Sequence, residues 1–222
     1  MILCLVTDRR RLGTAMGARP DDWLDLLRAQ VAAAASAGID LIQVREPDID
    51  AAELADLVRD LMRRVGGTAT RVLVNDRVDV AIAAKASGVH LKERSMLPHQ
   101  VRRIAPAGFM ISCSVHTIGA VAARKSADLL IAGTVLPTAS KSSVDYLNKA
   151  GLEEIVEAAA QQPVLGIGGL NITSIPLLAA SGAAGMAAVG AFVPGAGDDI
   201  TEFVQKRVNG LRLAFDSASR HT

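Results

Sequence analysis

Short β-rich runs alternate with helical runs from one end of this chain to the other, and the unit repeats eight times. The strand candidates are Ile2–Val6, Leu41–Val44, Arg71–Val74, Gly88–Leu91, Met110–Val115, Leu129–Ala132, Val164–Ile167 and Met186–Val189. Two of the intervening helices announce their starts. Asp50 followed by Glu53 has capping-box spacing, with Leu54, Leu57, Val58, Leu61 and Val65 on one face. Asp199 and Glu202 repeat that signal ahead of Phe203 and Val204. The other helix candidates are Trp23–Ser36, Val78–Ala86, Leu97–Ile104, Ile118–Lys125, Leu152–Ala160 and Ile175–Ala180. Strict βα alternation implies a parallel sheet. Eight units favour closure, so the expected fold is α/β: a single (β/α)8 TIM barrel, with residues 1–222 as one domain.

Composition agrees with that fold. Of 222 residues half are hydrophobic, yet only four Phe, one Trp and one Tyr are present. The core must therefore be aliphatic, as the layered interior of a small closed barrel is. Twenty-four basic and 23 acidic residues nearly cancel, which gives no electrostatic case for nucleic acid or a membrane surface as partner. No apolar run is long enough for a membrane helix. The opening MILCLVTDRR turns charged after six apolar residues, so no signal peptide is expected there. Cys4 and Cys113 lie in strand runs and read as buried reduced thiols of a cytoplasmic protein. No CxxC and no His/Cys cluster at zinc spacing is present.

Active sites of this fold lie at the carboxyl ends of the strands, and polar residues gather there. Thr7 and Asp8 follow the first strand; Gln43, Arg45 and Glu46 end the second; Asn75 and Asp76 the third; His90 and Lys92 the fourth; Ser114 and His116 the fifth. Thr138, Ser140 and Lys141 fall in the long loop after the sixth. Gly166-Ile167-Gly168-Gly169 ends the seventh and Val189-Gly190 the eighth. Glycine lets backbone N–H groups approach a ligand closely, and the loops after strands 7 and 8 are the usual phosphate site of this fold. Gly168, Gly169, Val189 and Gly190 are therefore the phosphate-binding candidates. Arg45 and Lys141, with Thr138 and Ser140, offer cations and hydroxyls for further anionic groups. By strand alternation Ser112, Ser114 and His116 share a face, as do Gln43 and Arg45. His116 is the best general acid/base, because imidazole titrates near neutrality. His90, inside an apolar strand end, reads as structural, and His99 and His221 as surface residues.

Several stretches together resemble the thiamine-phosphate synthase / TenI superfamily over nearly the whole chain. They are Leu5-Val6-Thr7-Asp8, Ile42-Gln43-Val44-Arg45-Glu46, Val74-Asn75-Asp76-Arg77-Val78-Asp79-Val80-Ala81, Gly88-Val89-His90-Leu91, Ser114-Val115-His116-Thr117, Pro137-Thr138-Ala139-Ser140-Lys141 and Ile167-Gly168-Gly169. The resemblance implies a cytoplasmic enzyme of thiamine biosynthesis acting on a phosphorylated thiazole, and a homodimer. It leaves two activities. A synthase joins a pyrimidine diphosphate to a thiazole phosphate and releases pyrophosphate with Mg2+, for which Asp76 would be a ligand. A TenI-type thiazole tautomerase aromatises a thiazole carboxylate phosphate by moving a proton, with no metal and no other cofactor. Three departures from the synthase pattern stand out. Pro47 replaces the lysine of Arg-Glu-Lys. Lys92-Glu93-Arg94-Ser95 replaces Gly-Gln-Glu-Asp, so a lysine stands for a glycine and Ser95 for a metal-binding aspartate. Val189-Gly190-Ala191 lacks the usual serine. These departures favour the tautomerase, with His116 transferring the proton, Gln43, Arg45, Asn75, Asp76, Ser114, Thr138, Ser140 and Lys141 lining the substrate pocket, and the glycine loops holding the phosphate. The synthase is the alternative, and a catalytically idle ligand-binding or regulatory barrel is a third reading.

Overall fold

Eight short strands bring their aliphatic side chains together on both faces. They are β1 (Ile2–Val6), β2 (Leu41–Val44), β3 (Arg71–Asn75), β4 (Gly88–Leu91), β5 (Met110–Val115), β6 (Leu129–Gly133), β7 (Val164–Ile167) and β8 (Gly185–Ala188). The computed structural model describes residues 1–138 and 145–220. Each strand pairs in parallel with the next, and β8 returns to β1 with Leu3 opposite Met186, closing the barrel. The helices are α1 (Arg9–Ala15), α2 (Trp23–Ser36), α3 (Ala51–Arg64), α4 (Val78–Ala83), α5 (Pro98–Arg102), α6 (Ile118–Ala122), α7 (Asn148–Ala159), α8 (Ile175–Ala180) and α9 (Ile200–Ser219). The Asp50 and Asp199 side chains cap α3 and α9 by accepting from backbone N–H groups of the first turn, Asp50 from Ala52 and Glu53 and Asp199 from Glu202.

The structure corrects several boundaries. β3 runs on to Asn75 and β6 to Gly133, while β8 begins at Gly185 and leaves Val189 outside. Helices α4, α5 and α6 stop two to three residues short of their apolar runs, because the following turns reverse the chain sooner. Helix α7 starts four residues early, at Asn148, whose side chain accepts from the Ala150 N–H. Helix α1 was not anticipated at all. Its sequence, RRRLGTA, has no apolar stripe, and it is held by the Asp8 cap and by the close packing of Gly13. A Cβ on Gly13 would lie 1.9 Å from Trp23 Cδ1, so this glycine makes room for the indole.

Two apolar layers result. The larger lies between the strands and the ring of helices. The smaller fills the barrel interior with Cys4, Val6, Leu41, Leu129, Ile131, Leu165 and Ala187. Both cysteines are free and buried, and burial pushes each thiol up to about 12, so they are unreactive thiols of the core. Strand parity divides the interior. The inward positions of β6, β7, β8 and β1 are apolar, whereas those near the ends of β2 to β5 are Gln43, Asn75, His90, Ser112 and Ser114. The barrel thus has one greasy side and one polar side.

Candidate active site

The polar side is internally bonded. Gln43 Nε2 donates to Asn75 Oδ1 at 3.0 Å across β2 and β3. His90 is buried, with Nδ1 2.9 Å from Ser112 Oγ and Nε2 2.9 Å from Ser114 Oγ. A neutral imidazole carries one donor and one acceptor nitrogen, so one serine accepts and the other donates. Burial pulls the His90 pKa down to about 4, which keeps the ring neutral near pH 7. The structural reading of His90 agrees with this geometry. It also takes up Ser114, which sequence alternation had grouped with His116.

His116 stands at the mouth, exposed, one residue beyond β5, where it follows the outward turn into α6. Its Nδ1 is hydrogen-bonded to Glu93 Oε2. A carboxylate on Nδ1 fixes the ring's orientation and leaves Nε2 as the nitrogen that can exchange a proton. Glu93 is held in turn by its backbone carbonyl, which accepts from Nη2 of the buried Arg124. Glu93, which the sequence shows only as part of a departure from the synthase pattern, is the partner of the histidine.

Asp76 lies just past β3 in the left-handed backbone region, φ 66°, which aspartate tolerates better than most residues. Lys92 Nζ donates to Asp76 Oδ2 at 2.6 Å, and the Ser95 hydroxyl donates to Asp76 Oδ1. Burial alone would raise the Asp76 pKa, but the lysine and serine outweigh it and hold the carboxyl below its usual value. Magnesium is normally held by one or two carboxylates with substrate oxygens and water. Here both oxygens of Asp76 are engaged by protein donors, Glu93 is on His116, and no group of three or more His, Cys, Asp or Glu suited to a metal occurs among the described residues. The residues present do not fit Mg2+, so Asp76 as a metal ligand finds no support in the site.

Arg45 is exposed at the end of β2 and lines a cleft with Asp8, Arg10, Glu46, Pro47 and Asp48. Its backbone N–H donates to Thr7 Oγ1 at 2.9 Å, and that hydroxyl donates to Glu46 Oε1 at 2.7 Å. Glu46 is buried, and burial raises its pKa against the opposing pull of Thr7 and Arg9. Arg9 bridges Glu46 and Asp48, at 2.9 Å and 2.5 Å, and Arg10 reaches Asp48 at 2.7 Å. This clamp ties the loops after β1 and β2 together and sets where the Arg45 side chain leaves the barrel. The clamp was missed from sequence because its partners are 37 to 39 residues apart.

Across the mouth, Gly168 and Gly169 have φ of 98° and 68°. A Cβ on Gly169 would stand 2.5 Å from Pro137 O, and one on Gly168 2.4 Å from Thr134 Cγ2. Leu136 N–H donates to Gly168 O at 3.1 Å, so the loop after β6 lies directly on the glycine turn. Val189 and Gly190 open a short 3-10 turn, Gly190–Phe192, anchored by Gln30 Nε2 to the Phe192 carbonyl at 2.7 Å. A Cβ on Gly190 would be 2.7 Å from Arg11 Nη2. Arg11, unremarked in the sequence, therefore lays its guanidinium over the glycine that ends the candidate phosphate cradle. Thr138 borders the same loop, while Ser140, Lys141 and His221 lie outside the described residues. His99 is exposed, as expected.

A closed parallel barrel with a bonded polar floor, cations on one rim and a glycine turn on the other defines a barrel-type small-ligand site at the strand ends. The family model described as thiamine monophosphate synthase matches residues 14–192. This chain belongs to the thiamine monophosphate synthase family. It is 37% identical over 171 residues to the thiamine-phosphate synthase of Methanoculleus marisnigri, covering 74% of this chain and 79% of that protein. It is 36% identical over 177 residues to the thiamine-phosphate synthase of Pyrococcus abyssi, covering 79% and 82%. Among solved structures, the thiamine phosphate pyrophosphorylase from Pyrococcus furiosus superposes with a TM-score of 0.77 at 29% identity, covering 98% of this chain and 96% of that one. These relatives favour the synthase alternative over the tautomerase expected from the sequence.

Proposed function

We propose that this chain is a thiamine-phosphate synthase, joining a pyrimidine diphosphate to a thiazole phosphate with release of pyrophosphate. Similarity to proteins so named, over three quarters of the chain, carries the reading. The site supports it with anion-binding groups on two sides of one mouth. Gly168, Gly169, Val189 and Gly190, with Arg11 over Gly190, suit the thiazole phosphate. Arg45, across the mouth, suits the diphosphate, and Thr138, Ser140 and Lys141 of the chain after β6 are further candidates for an anionic group. The Gln43–Asn75 pair offers an amide edge to a ring, and charge-matched anchors at both ends hold two substrates in one orientation, which lowers the entropic part of the barrier. No step is assigned to a metal, for which the residues present are unsuited.

One observation favours the second reading, metal-free proton transfer on a thiazole carboxylate phosphate. His116 with Glu93 on Nδ1 is a ready proton shuttle. The two readings separate in one assay of the full chain against both substrate sets. Formation of thiamine phosphate and pyrophosphate from the two-substrate mixture is the expected result. Conversion of the non-aromatic thiazole isomer instead, with His116→Ala lowering kcat by roughly 10²-fold or more at little change in KM, would replace the synthase reading with the tautomerase.

A further inference from the structure

Two departures from the synthase pattern occur three residues apart, Lys92 for glycine and Ser95 for aspartate, and the fold joins them into one device. In the sheet Asn75 is level with His90, and Asp76 N–H donates to His90 O at 2.7 Å. That pairing sets the Asp76 carboxylate beside the residues that follow β4. Lys92 Nζ then takes one carboxylate oxygen and Ser95 Oγ the other, while Lys92 N–H donates back to Ser95 Oγ at 3.1 Å. The ring of contacts is closed, so the ammonium has a fixed address. It is not buried: the Lys92 side chain keeps 58% of its exposure. An ammonium has three donors, and Asp76 uses one, so with this exposure N–H groups stay open to a ligand. Arg45 follows β2 and Lys92 follows β4, and the two strands flank β3 in the closed sheet.

We propose that the Lys92 ammonium, tethered by Asp76 and Ser95, is a built-in cation that takes the place of a divalent metal at this site and binds the diphosphate end of the substrate together with Arg45. The proposal rests on the synthase reading. The swap is coherent in charge. A divalent ion held by two carboxylates loses half of its balancing protein charge when one goes, whereas a monovalent ammonium on a covalent stem is balanced by the one that remains. Loss of the second carboxylate to Ser95 and gain of Lys92 are therefore one change. An ammonium also binds phosphate as a point charge, without demanding octahedral geometry.

The test is calorimetric titration of the full chain with inorganic pyrophosphate, in EDTA and in Mg2+. Wild type is expected to bind in EDTA. Lys92→Met should weaken that binding at least about tenfold, the loss expected for one charge-assisted contact. Asp76→Asn/Lys92→Met should stay equally weak, which shows that the missing ammonium, and not an unmasked carboxylate, is the cause. Lys92→Gly/Ser95→Asp should bind pyrophosphate only when Mg2+ is added. Circular dichroism checks that each variant is folded; Lys92 and Ser95 are not in the apolar core. A wild type that binds pyrophosphate only with Mg2+, or a Lys92→Met variant that binds as tightly as wild type in EDTA, overturns the assignment. The underlying reading fails separately. If binding in EDTA depends on Lys92 but no thiamine phosphate forms with or without Mg2+, the cation stands and the synthase does not. If thiamine phosphate forms only with Mg2+, the synthase stands and the cation does not.

Discussion

His90 shows what one buried titratable side chain costs and contributes. Its ring is neutral because burial holds the folded pKa near about 4, whereas an unfolded imidazole titrates near about 6.5. A depressed folded pKa means that stability is fully present above the unfolded value and declines as pH falls through the window between the two. In that window the unfolded chain takes up a proton that the folded one refuses. The slope is about 1.4 kcal/mol per pH unit, so roughly 2–3 kcal/mol should be lost between pH 7 and pH 4.5. Urea melts of wild type and His90→Gln at both pH values test this. The wild type should lose more stability than the variant by about that amount, and an equal loss would show that other groups set the acid sensitivity. The neutrality of His90 was not readable from the chain, because it comes from burial that only the closed barrel provides. Its structural character was readable, from the apolar strand around it.

At the scale of elements, the two glycines after β7 differ in kind from Gly190. Gly169 combines positive φ with backbone oxygens 2.5 and 2.6 Å from any added Cβ, and backbone cannot swing aside. Gly190 meets only the end of a flexible arginine. Gly169→Ala should therefore cost about 2 kcal/mol or more in thermal unfolding and weaken thiazole phosphate binding at least about tenfold. Gly190→Ala should leave stability within about 0.5 kcal/mol and shift only Arg11. If Gly190→Ala were the more damaging, the cradle would be centred on β8 and not on β7. Eight strands and the starts of α3 and α9 were legible in local pattern, because caps and aliphatic runs act over a few residues. Helix α1 was not, since its reason to form is the Trp23 indole seated on Gly13 and not any periodicity of its own.

For the whole molecule, barrel closure depends on the pairing of the first strand with the last. Ile2 is opposite Gly185, and a Cβ on Gly185 would lie 1.9 Å from Ile2 O. Gly185→Val should break the seam, because neither backbone can yield without losing the ladder. A destabilisation above about 3 kcal/mol is expected, with amide exchange rising first in β1 and β8. Protection in those strands equal to wild type would show that closure does not rest on this contact. No helix among the described residues is long and apolar enough to cross a bilayer.

The sequence by itself determined the class of fold, the end of the barrel where the polar groups gather, and the glycine turn opposite the cations. Each follows from rules that act locally along a chain: strand and helix periods, caps, and the freedom of glycine. It also flagged Lys92 and Ser95 as departures. Only the tertiary structure decided what they touch, because Asp76 is brought to both from another strand. Asp76 meets the Lys92 ammonium, Glu93 meets His116, and Ser114 meets His90. Charges and hydrogen bonds act at about 3 Å, and which groups come that close is fixed by the closing of the barrel.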